Sequence, residues 1–196
     1  VELVPPKIKV EKEDILAAAI ALVRAQGIEE LNARSLAQKI GCSVQPIYRA
    51  YGSMENLKAA VYETVEDLYN QNMMESLENG SEGFLSMGLA YIRFAQTEKN
   101  FFKLLFMADA FENADVANIA GSTKGDDEVI SLISAMTGLD TPRAQELYTG
   151  VWLTTHGIAS LMATNNCDLT DAEIKKILQH TFAGLQNILK EEMEKQ

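Results

Sequence analysis

The stretch Ala33–Tyr51, ARSLAQKIGCSVQPIYRAY, constrains the fold most, because three of its positions fix how two short helices must meet. Leu36, Ala37 and Ile40 share one face of a helix over Ala33–Ile40, and Gly41 stands where a left-handed residue ends it. Ala37 is small enough for a second helix to cross there, Gly41 makes the turn, and Ile47 plugs the crossing. Ser43 is placed to cap the second helix, which turns Ile47 and Ala50 inward and leaves Gln45, Tyr48 and Arg49 pointing elsewhere. The spacing predicts a helix-turn-helix. On these residues alone the alternative is an ordinary helical hairpin in a core.

Pro46 refines the second helix. Its missing N–H costs little in a first turn, where that donor has no intrahelical partner. Either Ser43 is the N-cap, with its hydroxyl on the Gln45 amide, or Gln45 is pushed out of the α region and the helix begins at Pro46. In both versions Gln45 sits at the tip and Arg49 lies one turn further on the same face. The pair makes a donor-rich edge suited to base edges or phosphate.

Elsewhere the apolar residues repeat at helical spacing, with few β-branched runs and only four prolines in 196 residues, so the expected class is all-α. No apolar run reaches membrane-spanning length, and VELVPPKIKV lacks the apolar core and cleavage site of a signal peptide, so a cytoplasmic protein without membrane contact is expected. Cys42 and Cys167 are too few and too isolated for a zinc site or a disulfide framework and read as small, buried or half-buried apolar residues. Neither metal nor cofactor is expected. A net charge of −11 argues at first against a nucleic-acid partner, but its distribution weakens that objection. Residues 1–60 hold eight Lys or Arg against seven Asp or Glu, a net +1, which leaves −12 on the remainder. A near-neutral front on an acidic body suits a DNA reader joined to a domain that does not touch DNA.

In chain order, Lys7, Lys9 and Lys12 form a short basic lead-in to which no site is assigned. Ile15, Ala18, Ala19, Leu22 and Val23 stripe a supporting helix over Glu13–Gln26 that Gly27 closes, and Asn32 caps the next. Ser53 opens a long helix with an apolar stripe of Leu57, Val61, Val65 and Leu68 out to about Leu77, before Asn79-Gly80-Ser81 breaks it. A helix from Gly83, apolar on much of its circumference, is expected to be central. The block Phe101–Met107 is either core or pocket wall. Ala110–Lys124 is polar, Glu128–Met136 reads as a short helix, and Thr141-Pro142 opens a helix to about Thr164 with Thr141 as cap. Thr170 caps a last long helix striped by Ile174, Ile177, Leu178, Phe182, Leu185 and Leu189. Two such apolar-faced helices are what a four-helix interface with a second copy needs, core packing within one subunit being the alternative.

Gly27, Leu31, Ala37, Gly41, Cys42-Ser43, Ile47-Tyr48, Tyr51, Ser53, Glu55 and Leu57 match in order and spacing a pattern that resembles the head of TetR-family repressors, over roughly the first third of the chain. The resemblance implies a three-helix DNA-binding head at 1–57, motif about 33–51, and a ligand-binding and dimerisation domain at 58–196. It implies that Tyr48 holds a phosphate, that the helix bearing Gln45 and Arg49 enters the major groove, and that Arg34 lies near the DNA backbone; Ser43, Val44, Tyr51, Ser53 and Lys58 complete the expected DNA-contacting set. Two positions depart from the family pattern. Ala50 stands where His or Tyr is common, and Met54 where a Lys commonly meets phosphate, so weaker or more salt-sensitive binding follows, with Lys58 in partial compensation.

Trp152-Leu-Thr-Thr-His156-Gly157 resembles a Trp-x-x-x-His-Gly signature found in one branch of these repressors. Trp152 and His156, four apart, share a helix face. His156 reads as a core histidine bonded to a backbone carbonyl or as a ligand contact, and Gly157 as a site of close helix packing. The expected ligand wall comprises Phe84, Met87, Tyr91, Phe101, Leu105, Tyr148, Trp152 and His156.

The expectation is a homodimeric regulator, most simply a repressor. Its partners are a palindromic double-stranded DNA operator, a second copy bound through the last two helices, and a small apolar or aromatic effector of unknown identity. The alternative is a helical small-molecule-binding dimer whose head has lost specific DNA binding. No enzyme is expected: no nucleophile, base and orienter stand at supporting spacing, and there is no metal cluster or phosphate loop.

Overall fold

The computed structural model describes residues 10–79, 84–107, 126–164 and 167–195. The lead-in lysines Lys7 and Lys9, the pattern break at Gly80-Ser81 and the stretch Ala110–Lys124 lie outside them. Among the described residues there are nine α-helices and one 3₁₀ turn, and no strand. The helices fall into two compact units, and the chain visits the first twice: Val1–Gln71 with Glu98–Met107, against Asn72–Thr97 with Ala108–Gln196.

In the first unit, α1 (Lys12–Gln26) opens with Glu11 and Asp14 bonding each other's backbone amides, and Gly27 ends it at φ 93°. After the 3₁₀ turn Ile28–Glu30, Asn32 caps α2 (Ala33–Ile40) by accepting the amides of Arg34 and Ser35, while the Asn32 amide donates to the Ser35 hydroxyl. Gly41, left-handed at φ 77°, ends α2, and both its amide and that of Cys42 donate to the Ala37 carbonyl. Recognition of that turn from its glycine holds. The start of α3 does not follow either expected version. The helix runs Gln45–Tyr51, with Val44 ahead of it in α conformation and no side-chain cap. Ser43 therefore caps nothing there, because a helical Val44 moves the first turn one residue away from the serine hydroxyl's reach.

Ile47 is wholly buried and Ala37 nearly so, as the crossing requires, and α1 packs on both α2 and α3. The long α4 (Met54–Asn79) enters the first unit through Leu57, Val61 and Val65, all buried. α6 (Lys99–Phe106) then returns to α1. Its Phe101 and Phe102 are fully buried, Arg24 lays its guanidinium 4.9 Å over Phe101 while pairing with Glu98 at 3.0 Å, and Asn100 Nδ2 donates to the Arg24 carbonyl at 2.9 Å. That last bond serves a carbonyl left open at the end of α1. Phe106 meets Tyr69 of α4 edge-on at 5.0 Å.

The second unit is organised on α8 (Thr141–Ala163), which packs against α5 (Phe84–Thr97), α7 (Asp126–Thr137) and α9 (Asp171–Glu194). The cap of α8 is Asp140, which accepts the Arg143 amide; Thr141 is the first helical residue. The start expected from Pro142 alone is off by one, since proline is equally tolerated at the second helical position and Asp140 is the stronger acceptor. Thr170 caps α9 as expected, with Glu173 reaching back to its amide. Ile130, Ile133, Leu139, Leu147, Tyr148, Val151 and Leu189 form a buried cluster against which Phe84, Trp152, Phe182 and Leu185 pack. Two glycines allow the helices to close: a Cβ on Gly150 would meet Leu185 Cδ1 at 2.6 Å, and one on Gly88 would meet Leu178 Cδ1 at 3.1 Å.

Candidate functional site

On α3 the burial pattern divides the side chains cleanly. Ile47 and Tyr51 enter the core, whereas Gln45, Tyr48 and Arg49 are exposed together, Tyr48 at 45%. These three polar side chains share the solvent-facing side of the seven-residue helix. Arg34 and Ser43 are also exposed, and Val44, Ser53 and Lys58 are half-buried. Tyr51 departs from the rest of the expected set. Its ring is only 8% exposed and its hydroxyl donates to the Lys12 carbonyl at 3.1 Å, so it holds the head together from inside. Burial, with Glu13 next, pushes its phenol above the ordinary value. The Ser53 hydroxyl accepts the Asn56 amide at 3.2 Å as a helix cap, and backbone and Ser53 hydrogen bonds hold Glu55 below the usual carboxylate range at the positive end of α4. Ala50 and Met54 are half-buried and contribute neither cation nor hydrogen-bond donor.

In the second unit Tyr148, Trp152 and His156 stand four apart on α8 and build one aromatic stripe. Tyr148 meets Phe84 of α5 edge-on at 6.1 Å, and Phe84 meets Phe182 of α9 at 5.9 Å. Trp152 stacks flat on His156, with ring centroids 4.9 Å apart and planes within 5°. His156 Nδ1 lies 2.9 Å from the Tyr91 hydroxyl of α5, and Nε2 lies 3.3 Å from the Ser160 hydroxyl. Both ring nitrogens are thus engaged by side chains rather than by a backbone carbonyl, and a neutral imidazole donates through one and accepts through the other. Burial holds the imidazole pKa below its ordinary value.

Met87 is half-buried on the same α5. Phe101 and Leu105, expected in this wall, belong to the first unit and are buried there. Phe101, Phe102 and Leu105 of that block are buried where α6 packs on α1, so they read as core. Ser160 and Phe182 were not anticipated as site residues. Ser160 lies one helical turn beyond His156 and was legible from that spacing; Phe182 shows only as one apolar residue of a stripe. Gly157 meets nothing within 4 Å of where its Cβ would be, so it serves no close packing among the described residues.

A cleft of about 180 Å³ lies between α5 and the start of α9, lined by Leu89, Ile92, Arg93, Gln96, Asp171, Ala172, Ile174 and Lys175. It is smaller than the roughly 300–1,000 Å³ of ligand pockets and contains none of the expected wall residues. Among the described residues no group of three His, Cys, Asp or Glu is gathered to hold a metal, and no helix is long and apolar enough to cross a membrane.

Residues 15–61 match the family described as bacterial regulatory proteins, tetR family, and residues 84–185, over half of the chain, match the tetracyclin repressor-like C-terminal domain. No curated protein matches the chain. The first match spans the crossing of α2 and α3 and the start of α4; the second spans α5 to α9 and with them the aromatic stripe. With a DNA-reading head pattern and a regulatory body pattern in the family's order on one all-α chain, the protein belongs to the TetR family of DNA-binding transcription regulators.

Proposed function

We propose that the protein is a dimeric repressor that reads a palindromic operator with the outer edge of α3 and is released from it by a small apolar or aromatic effector. The observation that carries the DNA-reading part is the exposure of Gln45, Tyr48 and Arg49 side by side on a helix whose other face is locked into the core. Gln45 suits adenine and Arg49 suits guanine or phosphate. Tyr48, Arg34 and Lys58 are assigned to phosphate. Two copies related by a two-fold axis offer two such helices, and entry into successive major grooves requires them about 34 Å apart. An effector that favours another spacing of the two heads lowers operator affinity by linkage.

The second copy is assigned to the outer faces of α8 and α9. Leu153 and Leu161 on α8, and Ile188 on α9, are 41%, 46% and 55% exposed, with Gly157 and Gly184 open among them. Large exposed aliphatics in line on two neighbouring helices favour an isologous interface. The effector is assigned to the wall of Phe84, Tyr91, Tyr148, Trp152 and His156. Trp152 is the chain's single tryptophan, so its emission reports on that wall directly.

The test is selection from a pool of random duplex DNA with the purified protein. Enrichment of a two-fold symmetric sequence, bound by two copies, supports the reading. Failure to enrich any sequence, alongside aromatic compounds that alter Trp152 emission and saturate, favours instead a ligand-binding dimer without specific DNA recognition. Ala50 and Met54 favour that second reading, since each removes a counterion-releasing or hydrogen-bonding contact that the family pattern supplies.

A further inference from the structure

α3 spans only seven residues and carries no side-chain cap at its N-terminal end, where the amides of Ile47 and Tyr48 both go to the Val44 carbonyl. So short a helix has no stability of its own, and the direction in which it points is set by what holds it. Ile47 anchors its middle. A second hold is at the other end, where two hydrogen bonds tie α3 to its neighbours and its own last backbone bond closes the turn. The Tyr51 hydroxyl donates to the Lys12 carbonyl at 3.1 Å, with Lys12 Nζ 5.0 Å over the ring. Asn56 Nδ2 donates to the Tyr51 carbonyl at 2.9 Å, and the Gly52 amide donates to the Tyr48 carbonyl at 2.8 Å. The backbone amide of Asn56 in turn donates to Ser53 Oγ in the first turn of α4.

We infer that Asn56 and Tyr51 are positioning residues for base reading: they pin the last turn of α3 to α4 and α1, and so set the angle at which Gln45 and Arg49 are offered. The inference rests on α3 being the base-reading element. The lever is long enough to matter. Gln45 lies six residues from Tyr51, about 9 Å along the axis. A tilt of about 10° at Tyr51 therefore moves Gln45 by roughly 1.5 Å, more than a bidentate hydrogen bond to a base tolerates. Contacts to phosphate by long, flexible cations survive such a shift, so the residues that pin α3 act on selectivity rather than on grip.

The test uses the full chain, the duplex enriched from the random pool and a scrambled duplex of the same composition. The variants are Asn56→Leu, which keeps the side chain's size without its donor, and Tyr51→Phe, which removes one hydroxyl and leaves the ring in the core. Each is expected to reduce the enriched-to-scrambled affinity ratio by about tenfold, to leave affinity for the scrambled duplex within about twofold, and to keep the slope of log affinity against log salt. An unchanged ratio in variants that melt as the wild type does overturns the inference, as does an equal loss on both duplexes. Should Asn56→Leu fail to fold, Tyr51→Phe decides alone. If the wild type enriches no duplex, the base-reading role of α3 falls and this inference falls with it, whereas a selective wild type with equally selective variants sinks the positioning role only.

Discussion

Gln45 and Arg34 separate the two kinds of contact expected of a DNA-reading head. Gln45→Ala is expected to relax base preference by about 1–3 kcal/mol at one position per half-site, whereas Arg34→Ala weakens enriched and scrambled duplexes alike. Binding isotherms on single-base variants of the enriched duplex check both, and an equal loss across all duplexes for Gln45→Ala contradicts base reading. His156 yields a pH dependence of definite sign. Burial depresses its folded-state pKa, so the neutral ring is preferred in the fold, and the groups facing it are the Tyr91 hydroxyl from α5 and Trp152 and Ser160 from α8. Its contribution to stability is present above the unfolded-state pKa and is lost as pH falls through the depressed folded value. Thermal melts of wild type and His156→Asn at about pH 7.5 and about pH 5, values chosen on either side of about 6.5, are expected to show the larger loss on acidification in the wild type. Residue roles were also where the sequence was least legible. That Tyr51 is a buried strut, and that His156 bonds to Tyr91, depends on pairings across 39 and 65 positions, which no local spacing encodes.

Helices and their ends were far more legible, because periodicity and caps are local. Asn32, Gly41 and Thr170 each stand at the boundary that their chemistry implies. The two misplaced caps, Ser43 and Thr141, belong to helices with a proline in the first turn, where more than one register satisfies the same rule. Phe101-Phe102 reads equally as core or pocket, and only the return of α6 to α1 decides between them. Gly157 carries a prediction at this scale. A mid-helix glycine with open space around it should welcome a methyl group, so Gly157→Ala is expected to stabilise the separated subunit by about 0.5–1 kcal/mol. If a second copy packs there, the same change weakens self-association. Thermal unfolding at low concentration and sedimentation across a dilution series measure the two effects separately; unchanged association places the interface elsewhere.

For the whole molecule, the charge distribution and the double visit of the chain to the first unit matter most. With −12 on the residues after 60, binding to DNA relies on the few cations of the head, so the slope of log affinity against log salt is expected to be shallow, about −0.9 for each phosphate those cations neutralise. Phe101→Ala is expected to cost the first unit about 3–5 kcal/mol. Loss of DNA binding at a temperature where Trp152 emission and its response to aromatic compounds are retained is the expected signature; a concerted loss of both would show that the two units unfold as one. The return of α6 also bears on how such proteins are recombined. The motif lies in the leading segment, yet Glu98–Met107 supplies the rings and the ion pair that finish α1. A graft cut once within α4 would mate one parent's α1 with another's α6, so a working hybrid must take two separate stretches, through Gln71 and again Glu98–Met107, from the same parent.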